Sequence, residues 1–271
     1  MRRATGARVE AEGLALRTGH GWVYSNVDCA ATPGSLTAFV ADGGGGRTAL
    51  LLTLSGRMRP SDGSLHVDGH DCYRTARAGR QVRRICALGL SAGVNDLDER
   101  IRVREHLNER IHLRLRAPRR EVRDQALTAA GLTSADTHRL TGELSLLEQR
   151  RLGLALALIE EPRLVLVDDV DRGLCPETRA ALWSTLGELA DRGLTLIATC
   201  ADAEAARTEA GASTLPLHQG PIEDTDKTGK THATSGRTSS GGKRLRQAAA
   251  TGRTSLRDLL DRATGRGKEE Q

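Results

Sequence analysis

Apolar positions in this chain recur in two periods, and the alternation between them predicts its architecture. Residues 7–17 and 35–41 alternate or run apolar as strands do, with Pro33 and Gly34 marking a turn between them. Gly43 to Gly46 follow the second strand, and 47–57 reads as a helix with Leu50, Leu51 and Leu54 on one side. Pro60, Asp62 and Gly63 form a turn before a short strand at 64–67, and 84–90 reads as a further buried strand. Residues 144–159 are strongly helical, and Pro162 ends them. The apolar run 164–167 is β-compatible, a helix covers 176–191, a strand 194–199 and a helix 201–210. Strands alternating with helices predict an α/β fold with a mostly parallel sheet covered on both faces.

Two charged amphipathic segments, 103–115 and 119–130, interrupt this alternation and predict a helical subdomain over about 91–143. After residue 219 the chain turns to Gly, Ser, Thr, Lys and Arg. That predicts one domain over 1–219 and a disordered basic tail over 220–271. Within the tail, Leu256, Leu259 and Leu260 share a face, which predicts a short helix at 255–263.

Charge and composition narrow the chemistry. The 271 residues carry a net charge of +5, of which 221–271 supply +4. All four lysines, Lys227, Lys230, Lys243 and Lys268, lie in the tail, so chemistry in the body that usually wants Lys must use Arg. Aromatic residues make up only 2%, which argues against a base-stacking platform for single-stranded nucleic acid. Cys29, Cys72, Cys86, Cys175 and Cys200 are odd in number and form no CxxC pair, so reduced, mostly buried thiols are expected. No apolar leader or run of ~18 apolar residues is visible. A cytoplasmic, soluble chain, or one peripheral to a membrane, is therefore expected.

Two segments carry the candidate chemistry. In SLTAFVADGGGGRTALL, residues 35–51, a strand runs through glycines into a helix. Glycines let successive N–H groups turn toward an anion, and the helix start adds the positive end of its dipole. Gly43, Gly44, Gly45, Gly46, Arg47 and Thr48 are thus candidates for a phosphate cradle, with the Thr48 hydroxyl on Mg²⁺. In LVLVDD, residues 164–169, two carboxylates end a parallel strand, where ligands sit. Asp168 is a candidate for the Mg²⁺ shell, and Asp169 is a candidate for polarising water.

Over residues 8–218 the order and spacing of these motifs resemble the nucleotide-binding subunit of ATP-binding cassette (ABC) transporters. SDGSLHVDG at 61–69, VREHL at 103–107, LSLLEQ at 144–149, GLCP at 173–176 and LTLIATCAD at 194–202 fall where the family carries its own motifs. The resemblance implies a P-loop NTPase cassette with an N-terminal antiparallel β part. It implies ATP and Mg²⁺ as cofactors, Ala49 and Ser145 as further nucleotide contacts, and Asp169 as the catalytic carboxylate. As partners it implies a polytopic membrane permease and a second cassette, as homodimer or heterodimer. The departures are Ala41 for the first glycine, Arg47 for the P-loop lysine, and Leu90 near the Q-loop glutamine. Further on, Leu146 and Leu147 replace the signature glycines, Asp169 the catalytic glutamate, Cys175 the D-loop aspartate and Cys200 the switch histidine. The adenine-stacking aromatic falls at Thr18, with His20 and Trp22 close by. These departures predict weak nucleotide binding and slow hydrolysis, and they keep open a non-hydrolysing regulatory or scaffolding cassette. A nucleic-acid-associated ATPase using the basic KRLR run at 243–246 is the least favoured reading, because the body is nearly neutral and poor in rings.

Overall fold

The computed structural model describes residues 5–41, 46–113 and 120–218. The predicted tail with its helix at 255–263 lies outside them.

The chain opens with β1 (Val9–Thr18) and β2 (Gly21–Ala31), then β3 (Leu36–Val40) and α1 (Arg47–Leu54). After these come β4 (Asp62–Val67), β5 (His70–Asp71), α2 (Ala76–Ile85) and β6 (Cys86–Leu88). Two helices, α3 (Val103–Leu113) and α4 (Arg120–Ala129), precede α5 (Leu146–Leu158). The last part alternates as β7 (Leu164–Val167), α6 (Pro176–Asp191), β8 (Thr195–Cys200), α7 (Ala203–Ala210) and β9 (Ser213–Pro216).

Two sheets result. One is antiparallel, in the order β2-β1-β4-β5; the other is parallel, in the order β6-β7-β8-β3-β9. The fold is therefore α/β, with an antiparallel β part at the N-terminus. Strands β6, β7 and β8 are wholly buried, as parallel strands covered on both faces must be.

The core gathers these strands with α5, α6 and the inner faces of α3 and α4. Helix α5 is buried all round from Leu152 to Leu158 and contacts α3, α4, α6, β6 and β7. Gly153 makes the closest of these approaches possible. A Cβ there would sit 2.5 Å from the Leu90 Cβ and 2.8 Å from its backbone nitrogen.

The structure corrects the expected elements in several places. Arg84 and Ile85 form the last turn of α2 rather than the start of a strand, so β6 is only three residues long. Helix α2 carries four arginines and buries only Gly79 and Val82, too thin an apolar stripe to read from periodicity. Its start is fixed by Thr75, whose side chain accepts the Ala78 N–H. The turn expected between the first two strands hides a third, β2. There Val27, Cys29 and Ala31 alternate inward while Asn26, Asp28 and Gly21 dilute the pattern. The edge strand β9 was not expected either. Helix α1 stops at Leu54, three residues short of expectation, and Gly56 turns the chain at φ 70°.

Candidate functional site

Parallel pairing places the site. Val40 of β3 lies beside Cys200 of β8, and Val167 of β7 lies beside Ala198. The chain segments leaving these three strands therefore meet at one edge of the sheet. The start of α1, the Asp168–Asp169 pair after β7, and Thr199 with Cys200 at the end of β8 are brought together there.

Asp168 is the centre of the cluster. It is 3% exposed, and its carboxylate accepts three hydroxyl hydrogen bonds. Thr48 and Ser91 both donate to Oδ2 at 2.5 Å, and Thr199 donates to Oδ1 at 2.7 Å. Hydroxyl-to-carboxylate bonds of this kind are charge-assisted and strong. They let a buried carboxylate stay satisfied without a cation.

Of the predicted cradle, Gly43, Gly44 and Gly45 lie outside the described residues. Gly46 caps α1 in the left-handed region at φ 72°. A Cβ there would fall 2.4 Å from the Val23 carbonyl oxygen, so space and backbone both demand glycine. The first turn of α1 holds no acidic residue to offset the dipole. Thr48 sits in that turn. Ala49 is buried there, and its carbonyl accepts the Thr53 hydroxyl.

Arg47 takes a course the sequence did not show. Its side chain is 10% exposed, and Nε lies 2.9 Å from Oδ1 of Asp169. The contact has ion-pair distance but not hydrogen-bond alignment, since Oδ1 is a buried oxygen without a hydrogen-bond donor. Nη1 of Arg47 donates to the Ala41 carbonyl at 3.1 Å. Asp169 stands at φ 48°, a left-handed conformation that aspartate tolerates better than most residues. Its N–H donates to the Thr199 hydroxyl, and Oδ2 accepts from the exposed Arg172 at 3.2 Å.

The remaining predicted residues divide. Ser145 caps α5 in a reciprocal box with Glu148 and makes no contact with the Asp168 cluster among the described hydrogen bonds. Arg139 donates to Glu148 at 2.6 Å and holds its carboxyl down at about 2. Cys200 is fully buried, and burial pushes its thiol up to about 12, so it offers neither charge nor an exposed donor. Cys175 is the exposed cysteine among the five. Thr18 turns the β1–β2 hairpin, and Trp22 beside it is 38% exposed with the Arg17 guanidinium 5.3 Å from its ring centroid. Leu90 packs against α5, and its neighbour Ser91 reaches Asp168 instead.

Sequence reasoning missed Ser91, Thr199 and Arg150. Asn95 fixes Ser91 by accepting its N–H at 2.8 Å while donating to the Gly89 carbonyl. Burial lowers the Arg150 pKa, and the nearby charges of Asp169 and Asp168 oppose that. The register of β8 beside β7 would have exposed Thr199, but registers are not printed in a sequence. Nothing local marks Ser91 or Arg150.

Comparisons with known proteins point to one family. The ABC transporter family model matches residues 24–171, more than half of the chain. The daunorubicin resistance ATP-binding protein DrrA3 of Streptomyces coeruleorubidus is 34% identical over 70% of this chain and 59% of its own length. The probable multidrug ABC transporter ATP-binding protein YbhF of Escherichia coli is 33% identical over 63% of this chain, which spans only 29% of that relative. The lipoprotein-releasing system ATP-binding protein LolD of Syntrophotalea carbinolica is 32% identical over 68% of this chain and 82% of its own. Among solved structures, cbiO1 from Clostridium perfringens superposes with a TM-score of 0.66 at 20% identity, over 77% of this chain and 84% of that one. A second, an ATP-binding cassette bound to ADP and Pi, gives 0.63 at 18% identity, over 73% and 90%. ABC cassettes bind ATP, and these superpositions show their P-loop NTPase fold here. Among the described residues no helix is long and apolar enough to cross a membrane. By its matched family model, its relatives and its fold, the chain belongs to the ABC transporter family.

Proposed function

We propose that this chain is the ATP-binding subunit of an ABC-type transport system, a cassette that binds Mg·ATP and hydrolyses it slowly to drive or regulate a polytopic membrane partner. It would act as one of a pair of cassettes, peripheral on the inner face of the membrane. The observation that carries the reading is the convergence of Thr48 and Asp168 at the start of α1. An oxygen-only donor set of one carboxylate and two hydroxyls suits a hard cation such as Mg²⁺. Bound there, the ion would neutralise phosphate charge. Thr48 and Asp168 would hold it, and the N–H groups at Gly46–Thr48 would receive phosphate oxygens. Asp169, beside them, would orient water through its carboxylate.

Titration calorimetry of the full chain with Mg·ATP tests this. Binding is expected, and Thr48→Ala should weaken it about tenfold or more by removing a metal-facing hydroxyl. Absence of heat with excess Mg·ATP would overturn the reading.

A further inference from the structure

A cradle for phosphate ordinarily keeps its cation free to meet the anion. Here Arg47 already has one. Its Nε faces Asp169 at 2.9 Å and its Nη1 is bound to Ala41, so the guanidinium is turned from α1 toward β7. A planar fork can serve two acceptors in different directions, whereas an ammonium on a flexible stem is a point charge.

The backbone that carries the carboxylate is held independently of Arg47. The left-handed turn at Asp169 is held by its own N–H on the Thr199 hydroxyl and by the Val170 N–H on the Thr199 carbonyl. The Asp169 side chain therefore leaves a backbone that Arg47 does not hold, and Arg47 meets its carboxylate there. The match is poor in one respect, because Oδ1 sits near Nε without an aligned donor. A phosphate, with several oxygens, can satisfy the same fork better.

Two further cations lie near the same aspartate. Arg172 donates to Oδ2 of Asp169, and Arg150 lies close enough to interact with both aspartates while its own Nε is buried without a partner. If Arg47 swung away, Asp169 would keep compensating charge.

We propose that Asp169 is an internal stand-in for nucleotide phosphate. In the nucleotide-free chain it holds Arg47, and the phosphates of an incoming nucleoside di- or triphosphate must displace it. The exchange weakens binding and, in the same step, releases the Asp169 carboxylate to face water. Asp169 thus sets nucleotide affinity as well as reactivity. The proposal rests on the reading of Gly46–Thr48 as the phosphate cradle.

ADP is the discriminating probe, because it lacks the terminal phosphate that a water-orienting carboxylate would face. Calorimetry with Mg·ADP should show Asp169→Asn binding about tenfold tighter than wild type, the scale of one charge-assisted hydrogen bond regained. Asparagine tolerates the left-handed backbone, so the turn is kept. Asp171→Asn is the control for general charge, since that carboxylate accepts the Ala201 and Asp202 N–H groups rather than facing Arg47. An equal gain in Asp171→Asn, or no gain in Asp169→Asn while wild type binds ADP, would overturn the exchange and leave the cradle standing. If no variant binds ADP, the cradle reading falls and the exchange falls with it. A second arm needs no ligand: Arg47→Met and Asp169→Asn should be non-additive in the denaturant midpoint of the nucleotide-free protein. Additive effects would also overturn the proposal.

Discussion

Thr199 links both aspartates with one hydroxyl, donating to Asp168 and accepting the N–H of Asp169. It is fully buried, so no water can replace it cheaply. Thr199→Ala should therefore destabilise the fold by about 2–3 kcal/mol, because it leaves an acceptor and a donor unsatisfied. Thr199→Ser should cost less than about 1 kcal/mol, since it keeps the hydroxyl and loses a methyl group. Urea unfolding of the two variants separates these outcomes, and equal losses would show that packing rather than the hydrogen bonds matters. This residue also marks a limit of sequence reading. Thr48 and Asp168 were legible because a glycine run before a helix and a carboxylate after an apolar strand each have a local signature. Thr199 and Ser91 are ordinary residues drawn into the cluster by what lies beside them, and that neighbour is 31 and 77 residues away. The Arg47–Asp169 pair was hidden differently: both residues were singled out, but with separate roles, and only the turn at φ 48° joins them.

At the scale of elements, legibility followed apolar periodicity. The strands β3, β7 and β8 and the helices α5 and α6 are rich in Leu, Val and Ala and could be read directly. Helix α2 escaped because one glycine and one valine are all it buries. The start of α5 shows how a cap links helix to charge. Ser145 and Glu148 exchange hydrogen bonds, and Arg139 reaches in from the preceding segment to hold the Glu148 carboxylate. That carboxyl falls from its ordinary 4.5 to about 2, chiefly through the Arg139 bond. A depressed folded-state value contributes stability that is present above 4.5 and is lost as pH falls toward 2. Glu148→Gln keeps the reciprocal cap but not the charge. It should lower Tm by about 1–2 °C at pH 7, the scale of a solvent-screened pair. The difference from wild type should shrink as pH falls from 4.5 and be lost only below about 2. A difference that does not shrink between pH 4.5 and 2 would assign the loss to the cap geometry instead.

For the molecule as a whole, the proposed hydrolysis by a paired cassette raises the question of how far these departures would slow turnover. Phosphoryl transfer depends on positioning and electrostatic stabilisation, and each missing group can cost ~10²-fold. Leu146 and Leu147, where the resemblance places signature glycines, are not equivalent in the fold. Leu146 is 39% exposed and lies over Gly173, whereas Leu147 packs against the core. Leu146→Gly is therefore the tolerable change, and Leu147→Gly would open a cavity at a cost of about 2 kcal/mol or more. Cys200 presents the opposite difficulty. It is fully buried at the end of β8, so Cys200→His inserts a larger ring and should cost about 1–3 kcal/mol in overpacking. Cys200→His alone should recover little activity, because Leu146 would still hold a partner cassette at a distance. Leu146→Gly with Cys200→His should raise phosphate release by more than the separate effects predict, since both groups would meet at one phosphate. Steady-state phosphate release from the full chain, with Tm recorded beside it, tests the coupling. A wild-type rate near ~10 s⁻¹, typical of enzymes, would show that the leucines and the thiol are no obstacle. In that case the Asp169 carboxylate would suffice once Arg47 has moved to the nucleotide.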